Sequence, residues 1–145
     1  MSKAEEFLTK KEEEEIIEAI CMAEKNTSGE IRIHLENKIT IDAIDRAVEV
    51  FNELEMHKTK DSNGVLIYVA VNSKQFAICG DNGINKVVPN DFWESTKNIM
   101  ASHFQNGNFK QGLVDGILKA GEQLKKYFPY QDEDTNELSN EISKG

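Results

Sequence analysis

Apolar positions recur along the chain at two spacings, and each switch between them marks a new element. Ile16, Ile17, Ile20 and Ala23 keep the helical interval. Ahead of them, Thr9-Lys10-Lys11-Glu12 carries the hydroxyl and carboxylate of a capping box, so a helix is predicted over 10–25. Asn26-Thr27-Ser28-Gly29 interrupts it. Ile31, Ile33 and Leu35 then alternate with Arg32, His34 and Glu36, the period of a strand with one wet or partly wet face. Thr40 is placed to cap a second helix over 41–56, with Ile44, Ala47, Val48, Phe51 and Leu54 as its apolar stripe. Residues 64–71 are apolar without alternation and rich in β-branched side chains, which predicts a strand covered on both faces in the middle of a sheet. Asn72-Ser73 reads as a tight turn into a return strand over 75–80. Asn90-Asp91 is placed to cap a third helix carrying Phe92, Trp93, Ile99, Met100 and Phe104. A fourth, with Leu113, Ile117, Leu124 and Phe128, ends before Pro129. Gly112, Gly116 and Gly121 lie along one side of that last helix; either its backbone packs tightly on a neighbour or the helix starts late.

This order of elements predicts an α/β fold, a three-layer αβα sandwich with a small mixed sheet between helices. Residues 1–129 read as one domain and 130–145 as an acidic flexible tail, with Asp132, Glu133, Asp134, Glu137 and Glu141 set against Lys144, and with Leu138 and Ile142 spaced i, i+4 for a weak docking contact. The strand–helix–strand unit should make a right-handed crossover, so its two strands are parallel, and the third strand returns antiparallel to the second. The starts of strands one and two and the finish of strand three then share one end of the sheet.

That end gathers Glu30, then Asp61, Ser62 and Asn63, then Asp81 and Asn82, with Asp91 a short loop further on. Carboxylates brought together repel one another unless a cation stands between them, and Lys60 and Lys86 are the cations that sequence places nearby. Hard oxygen donors without cysteine, and with His57 as the nearby imidazole, suit Ca²⁺, Mg²⁺ or Mn²⁺ rather than zinc, as one or two ions. Asp61, Asp81, Glu30, Asn63, Asn82 and Asp91 are therefore the candidate metal ligands. Asp and Asn before Gly are equally ordinary turn chemistry, and Asp91 equally a helix cap. EF-hand and nucleotide P-loop spacings are missing, and neither His34 nor His103 has a partner that sequence can place, so no catalytic residue is assigned.

Charge and cysteines narrow the classes further. In a chain of 145 residues, 17 Lys+Arg against 26 Asp+Glu leave a net charge of −9, which argues against nucleic acid and anionic membrane surfaces as partners. Cys21 and Cys79 make no metal-ligand or CxxC set and read as small buried hydrophobes in a reducing compartment. The N-terminus turns acidic at once without an apolar stretch, and the expected location is the cytoplasm.

Three motifs carry a resemblance. Ser28-Gly29-Glu30 at one strand start, Asn63-Gly64-Val65-Leu66 at the next, and Gly80-Asp81-Asn82-Gly83 at a strand finish, together with 109–117, resemble the TPM domain over about residues 10–129. The resemblance implies an αβα sandwich. It implies a stand-alone soluble bacterial version, since many members carry a signal peptide and an anchor. Some members bind Ca²⁺ through acidic loops at one end of the sheet, and Glu30, Asp61 and Asp81 fall on the matching strand ends. Thylakoid-lumen members have been assigned weak acid phosphatase activity. Members often have arginine where this chain has Ser62, which leaves a phosphate without that contact. The expected function is a divalent-metal-binding module whose ion orders two adjacent loops into a surface read by another protein. The alternative is a weak metal-dependent phosphomonoesterase.

Overall fold

The computed structural model describes residues 8–59, 62–129 and 141–144. Helix α1 (Lys10–Glu24) leads to strand β1 (Glu30–Glu36), helix α2 (Ala43–Glu53) and a 3₁₀ turn at Met56–Lys58. Strands β2 (Gly64–Ala70) and β3 (Gln75–Gly80) form the hairpin, followed by a one-turn helix α3 (Asn82–Asn85), helices α4 (Glu94–Gln105) and α5 (Phe109–Leu124), and a short strand β4 (Ser143–Lys144). The sheet order is β3-β2-β1-β4, with β1 parallel to β2 and to β4 and β3 antiparallel to β2. The α/β sandwich expected from the pattern is the one observed. The predicted capping box is present, with Thr9 Oγ1 accepting from the Glu12 N–H at 3.1 Å and Glu12 Oε1 from the Thr9 N–H at 3.0 Å.

Strand alternation builds two cores. Ile31, Ile33, Leu35, Val65, Ile67, Val69 and Ile78 face α1, α4 and α5, whose Ile16, Ile20, Met100, Leu113 and Ile117 complete that layer. Leu66, Tyr68, Ala70 and Ala77 face α2 and meet Ala47, Val50, Phe51 and Met56. All seven residues of β2 are buried, as its unbroken apolar run predicts. The glycines of α5 resolve in favour of close packing. A Cβ on Gly112 would lie 2.6 Å from Phe104, on Gly116 2.6 Å from Met100, and on Gly121 2.7 Å from the Ala23 Cβ and 3.1 Å from its Cα.

Several local expectations are corrected. Helix α2 starts at Ala43 behind Asp42, not behind Thr40, and its buried stripe is Ala47, Val50 and Phe51. Ile44 and Val48 are 47% and 45% exposed, because the helix is turned so that Val50 rather than Val48 faces the sheet. The hairpin turn spans 71–74 rather than two residues, with Lys74 at φ 54°. Asn90 and Asp91 belong to a turn, and α4 begins at Glu94. Cys21 is exposed on the outer side of α1, whose Ile16, Ala19, Ile20 and Ala23 face inward. Within the region read as a flexible tail, residues 130–140 and 145 lie outside the described residues. Ser143 and Lys144 pair with His34 and Leu35 of β1, and Ile142 packs on the core.

Gly121→Ala should cost about 1–3 kcal/mol in denaturant unfolding despite alanine's better helix propensity, because the new methyl meets the α1 backbone. Gly116→Ala should cost less, since the flexible Met100 thioether can turn aside.

Candidate functional site

The sheet end singled out by the sequence is assembled as the topology requires. Glu30 pairs with Gly64 across β1 and β2, and the Glu30 N–H donates to the Asn63 carbonyl at 3.2 Å. On the other side of β2 the Asp81 N–H donates to the Gly64 carbonyl at 2.9 Å. One ladder therefore joins Glu30, Asn63-Gly64 and Asp81. Alternation puts Glu30, Gly64 and Asp81 on the α2 face, with no side chain from Gly64 between the two carboxylates. The approach to β2 is fixed locally: Thr59 Oγ1 accepts from the Asn63 N–H at 3.2 Å, and Asn63 Nδ2 donates to the Ser28 carbonyl at 2.9 Å.

Glu30, Asn63 and Asp81 are all buried. Asp81 Oδ1 accepts from the Asn82 N–H at 2.7 Å and so caps α3, while Oδ2 is shielded from solvent and has no hydrogen-bond partner among the described residues. The field of that carboxylate reaches Cys79. Burial first, and then the Asp81 charge, push the Cys79 thiol up to about 11.

The remaining sequence candidates are placed differently. Asp61 and Lys60 lie outside the described residues, next to Ser62 at φ 50°. The Asn82 side chain is exposed. Asp91 is exposed on the turn before α4, where its carbonyl accepts from the Glu94 N–H, and the ladder that joins the other three does not include it. Among the described residues no three His, Cys, Asp or Glu side chains converge as a ligand set. Asp81 Oδ2 remains a buried carboxylate oxygen without a donor among the described residues, a costly arrangement for a charged group.

The other end of the same face holds a network that the sequence reading missed. Arg32, His34 and Glu36 were expected to face water at least in part, yet His34 and Glu36 are buried. Arg46 of α2 donates from Nε to both Glu36 oxygens at 3.1 Å, and its Nη1 reaches Glu49 at 3.2 Å and Glu53 at 3.3 Å. The Tyr68 hydroxyl donates to Glu36 Oε2 at 2.5 Å. The His34 ring stacks on Tyr68 at 5.9 Å, and its Nδ1 shares a hydrogen bond of 2.8 Å with Ser143 Oγ. Burial alone would raise the Glu36 carboxyl, but the bonds from Arg46, Tyr68 and His34 outweigh it and hold it down at about 2. Tyr68 is pushed up, by burial first and then by its bond to Glu36. His34 is lowered, chiefly by burial. The signal was a tyrosine inside the apolar β2 run, since a buried hydroxyl needs a partner.

Among the described residues no helix is long and apolar enough to cross a membrane. The sequence profile of the TPM domain matches residues 1–123. The BA42 protein of the psychrophilic bacterium Bizionia argentinensis, solved by NMR, is 61% identical over the whole of both chains, with a TM-score of 0.93. The N-terminal domain of a P. gingivalis protein, 17% identical, superposes with a TM-score of 0.69 over 87% of this chain and 83% of its own. The N-terminal domain of the cg2496 protein from Corynebacterium glutamicum, 10% identical, gives 0.62 over 95% and 80%. These last two share the fold. No curated protein matches significantly.

The network sets the acid response. Glu36 has a folded pKa below its ordinary 4.5, so the stability it contributes is full above that value and is lost as pH falls from about 4.5 toward about 2. His34 is also lowered, so its contribution is full above its ordinary 6.5 and declines as pH falls below it. Unfolding free energy followed against pH should lose the upper decline in His34→Gln. Glu36→Gln should lose the lower decline and cost about 3 kcal/mol at neutral pH, because Arg46 and Tyr68 lose their carboxylate.

Proposed function

From a chain that belongs to the TPM domain family and carries an orphaned carboxylate at its sheet end, we propose a divalent-metal-binding module, Ca²⁺-like in its preference. Asp81 is the anchor in this reading; Glu30, which shares its face of the sheet, and Asp61 and Asn63, which precede β2 in the sequence, are the further oxygen donors it calls on. The observation that carries the reading is Asp81 Oδ2, shielded from water and without a donor among the described residues. Leaving a charged oxygen so placed is costly unless a cation or donor meets it.

The ion's role is linkage. An ion that binds the folded, ordered loops and not the unfolded chain stabilises the fold by about 2.7 kcal/mol at a hundredfold excess over its Kd. For a chain of this size that is roughly 5–10 °C in Tm. The loop before β2 and the segment from Asp81 into α3 are the two pieces the ion would tie together, and the surface they border is the one another protein would read. The ion supplies charge neutralisation; the residues supply hard oxygen donors.

Titrating Ca²⁺, Mg²⁺ and Mn²⁺ into metal-stripped protein should raise Tm saturably and shift amides in the 56–64 and 81–89 segments. Asp61→Ala should weaken that response. Asp81→Asn keeps an oxygen to cap α3 and removes the orphaned charge, so it should melt no lower than wild type in EDTA and lose the ion response altogether. A wild type with no saturable, localised response sinks the reading. Turnover of p-nitrophenyl phosphate above that of the Asp61→Ala/Asp81→Asn double variant would favour the phosphomonoesterase alternative instead.

A further inference from the structure

Helix α2 crosses the sheet with more apolar surface outside than its packing requires. Ile41 is 43% exposed, Ile44 47% and Val48 45%. Their spacing of three and then four residues makes them one continuous line along the helix and the turn that leads into it. A second line runs beside it at the same spacing: Asp42, Asp45 and Glu49, all exposed. Asp42 and Asp45 make no ion pair among the described residues, and Arg46, the helix's own cation, is taken up by Glu36, Glu49 and Glu53. An apolar rail thus lies against an acidic rail, both facing water.

The apolar rail does not end on a convex surface. Ile44 and Val48 line a groove of about 420 Å³ together with Phe51, Cys79 and Trp93. Asp81 of the proposed ion site and Asn82 are among its lining residues. Concave, with aliphatic and aromatic side chains joined by Asn52, His57, Asp81, Asn82 and Asn85, this is the form of a recognition groove rather than of scattered surface aliphatics.

We propose that this face docks an amphipathic helix of a partner protein, one that sets apolar side chains at i, i+3 and i+7 into the groove and presents lysines or arginines to Asp42, Asp45 and Glu49. The charge pattern selects that occupant. A second copy of this chain would bring acidic rail to acidic rail, and an anionic membrane would meet the same repulsion. The docking names the surface and partner for the interaction role in the proposed function and rests on that reading for its purpose, but the groove does not need the ion in order to bind.

The probe is an amphipathic 14-residue Leu/Lys peptide, with a Leu/Glu peptide of the same pattern as control. It is titrated in EDTA and again in saturating Ca²⁺ while following the fluorescence of Trp93 and the amide shifts of 41–52. The Leu/Lys peptide should bind saturably and the Leu/Glu peptide should not. Ile44→Ser/Val48→Ser should weaken binding at least tenfold, as should Asp42→Asn/Asp45→Asn, with circular dichroism and Tm of these surface variants unchanged. Binding that survives the serine pair is general attraction to an acidic protein and overturns the proposal. So does equal binding of the Leu/Glu peptide, or a wild-type dimer that the serine pair makes monomeric. If the peptide fails while Ca²⁺ still raises Tm, the docking falls alone; if the peptide binds and no ion raises Tm, the metal reading falls alone.

Discussion

The parallel pairing of β1 with β2, seven residues in register from Glu30 opposite Gly64 to Glu36 opposite Ala70, is the constraint on which the other features depend. It turns Glu30, Arg32, His34 and Glu36 to the face that α2 occupies, and Ile31, Ile33 and Leu35 to the face of α1 and α5. A slip of one residue would exchange these sets, placing four polar side chains in the larger core. The same register brings Glu30 beside Gly64 at one end and Glu36 within reach of Tyr68 and Arg46 at the other.

The two ends of that face hold carboxylates that are satisfied to different degrees. Glu36 receives donors from three elements, β1, β2 and α2, so its charge fastens α2 to the sheet. Asp81 receives a backbone donor from the next residue, on one oxygen, and none among the described residues on the other. Burial is similar at the two sites, 8% exposure each, so the difference lies in satisfaction, not depth.

How much could be read from the chain follows from which interactions are local. The Thr9 cap, the strand at 31–35 and the unbroken run of 64–70 are short-range signals, and each element appears in the structure, although the face of β1 expected to be wet is covered. The joining of Glu30, Asn63 and Asp81 needed one topological rule and no side-chain detail. Helix rotation is different. Ala47 and Phe51 fit two neighbouring stripes, and whether Val48 or Val50 faces inward is decided by packing on β2 and β3. The burial of His34 and Glu36 was hidden for a related reason, since Arg46 and Tyr68, ten and thirty-two residues beyond Glu36, make it tolerable. The glycines of α5 left two readings open because the partners that decide between them, Ala23, Met100 and Phe104, are on other helices.

The last two described residues of the chain have a consequence for solubility. Without Ser143 and Lys144, β1 would be the outer strand of the sheet on that side. Its edge is met at two places: Glu24 Oε2 accepts from the Ile31 N–H at 3.0 Å, and β4 lies along His34 and Leu35, with Lys144 paired to Glu13. An uncovered strand with an apolar face is a template on which other chains can pair and grow into aggregates. Ser143 and Lys144 shorten the stretch of β1 left open to such pairing.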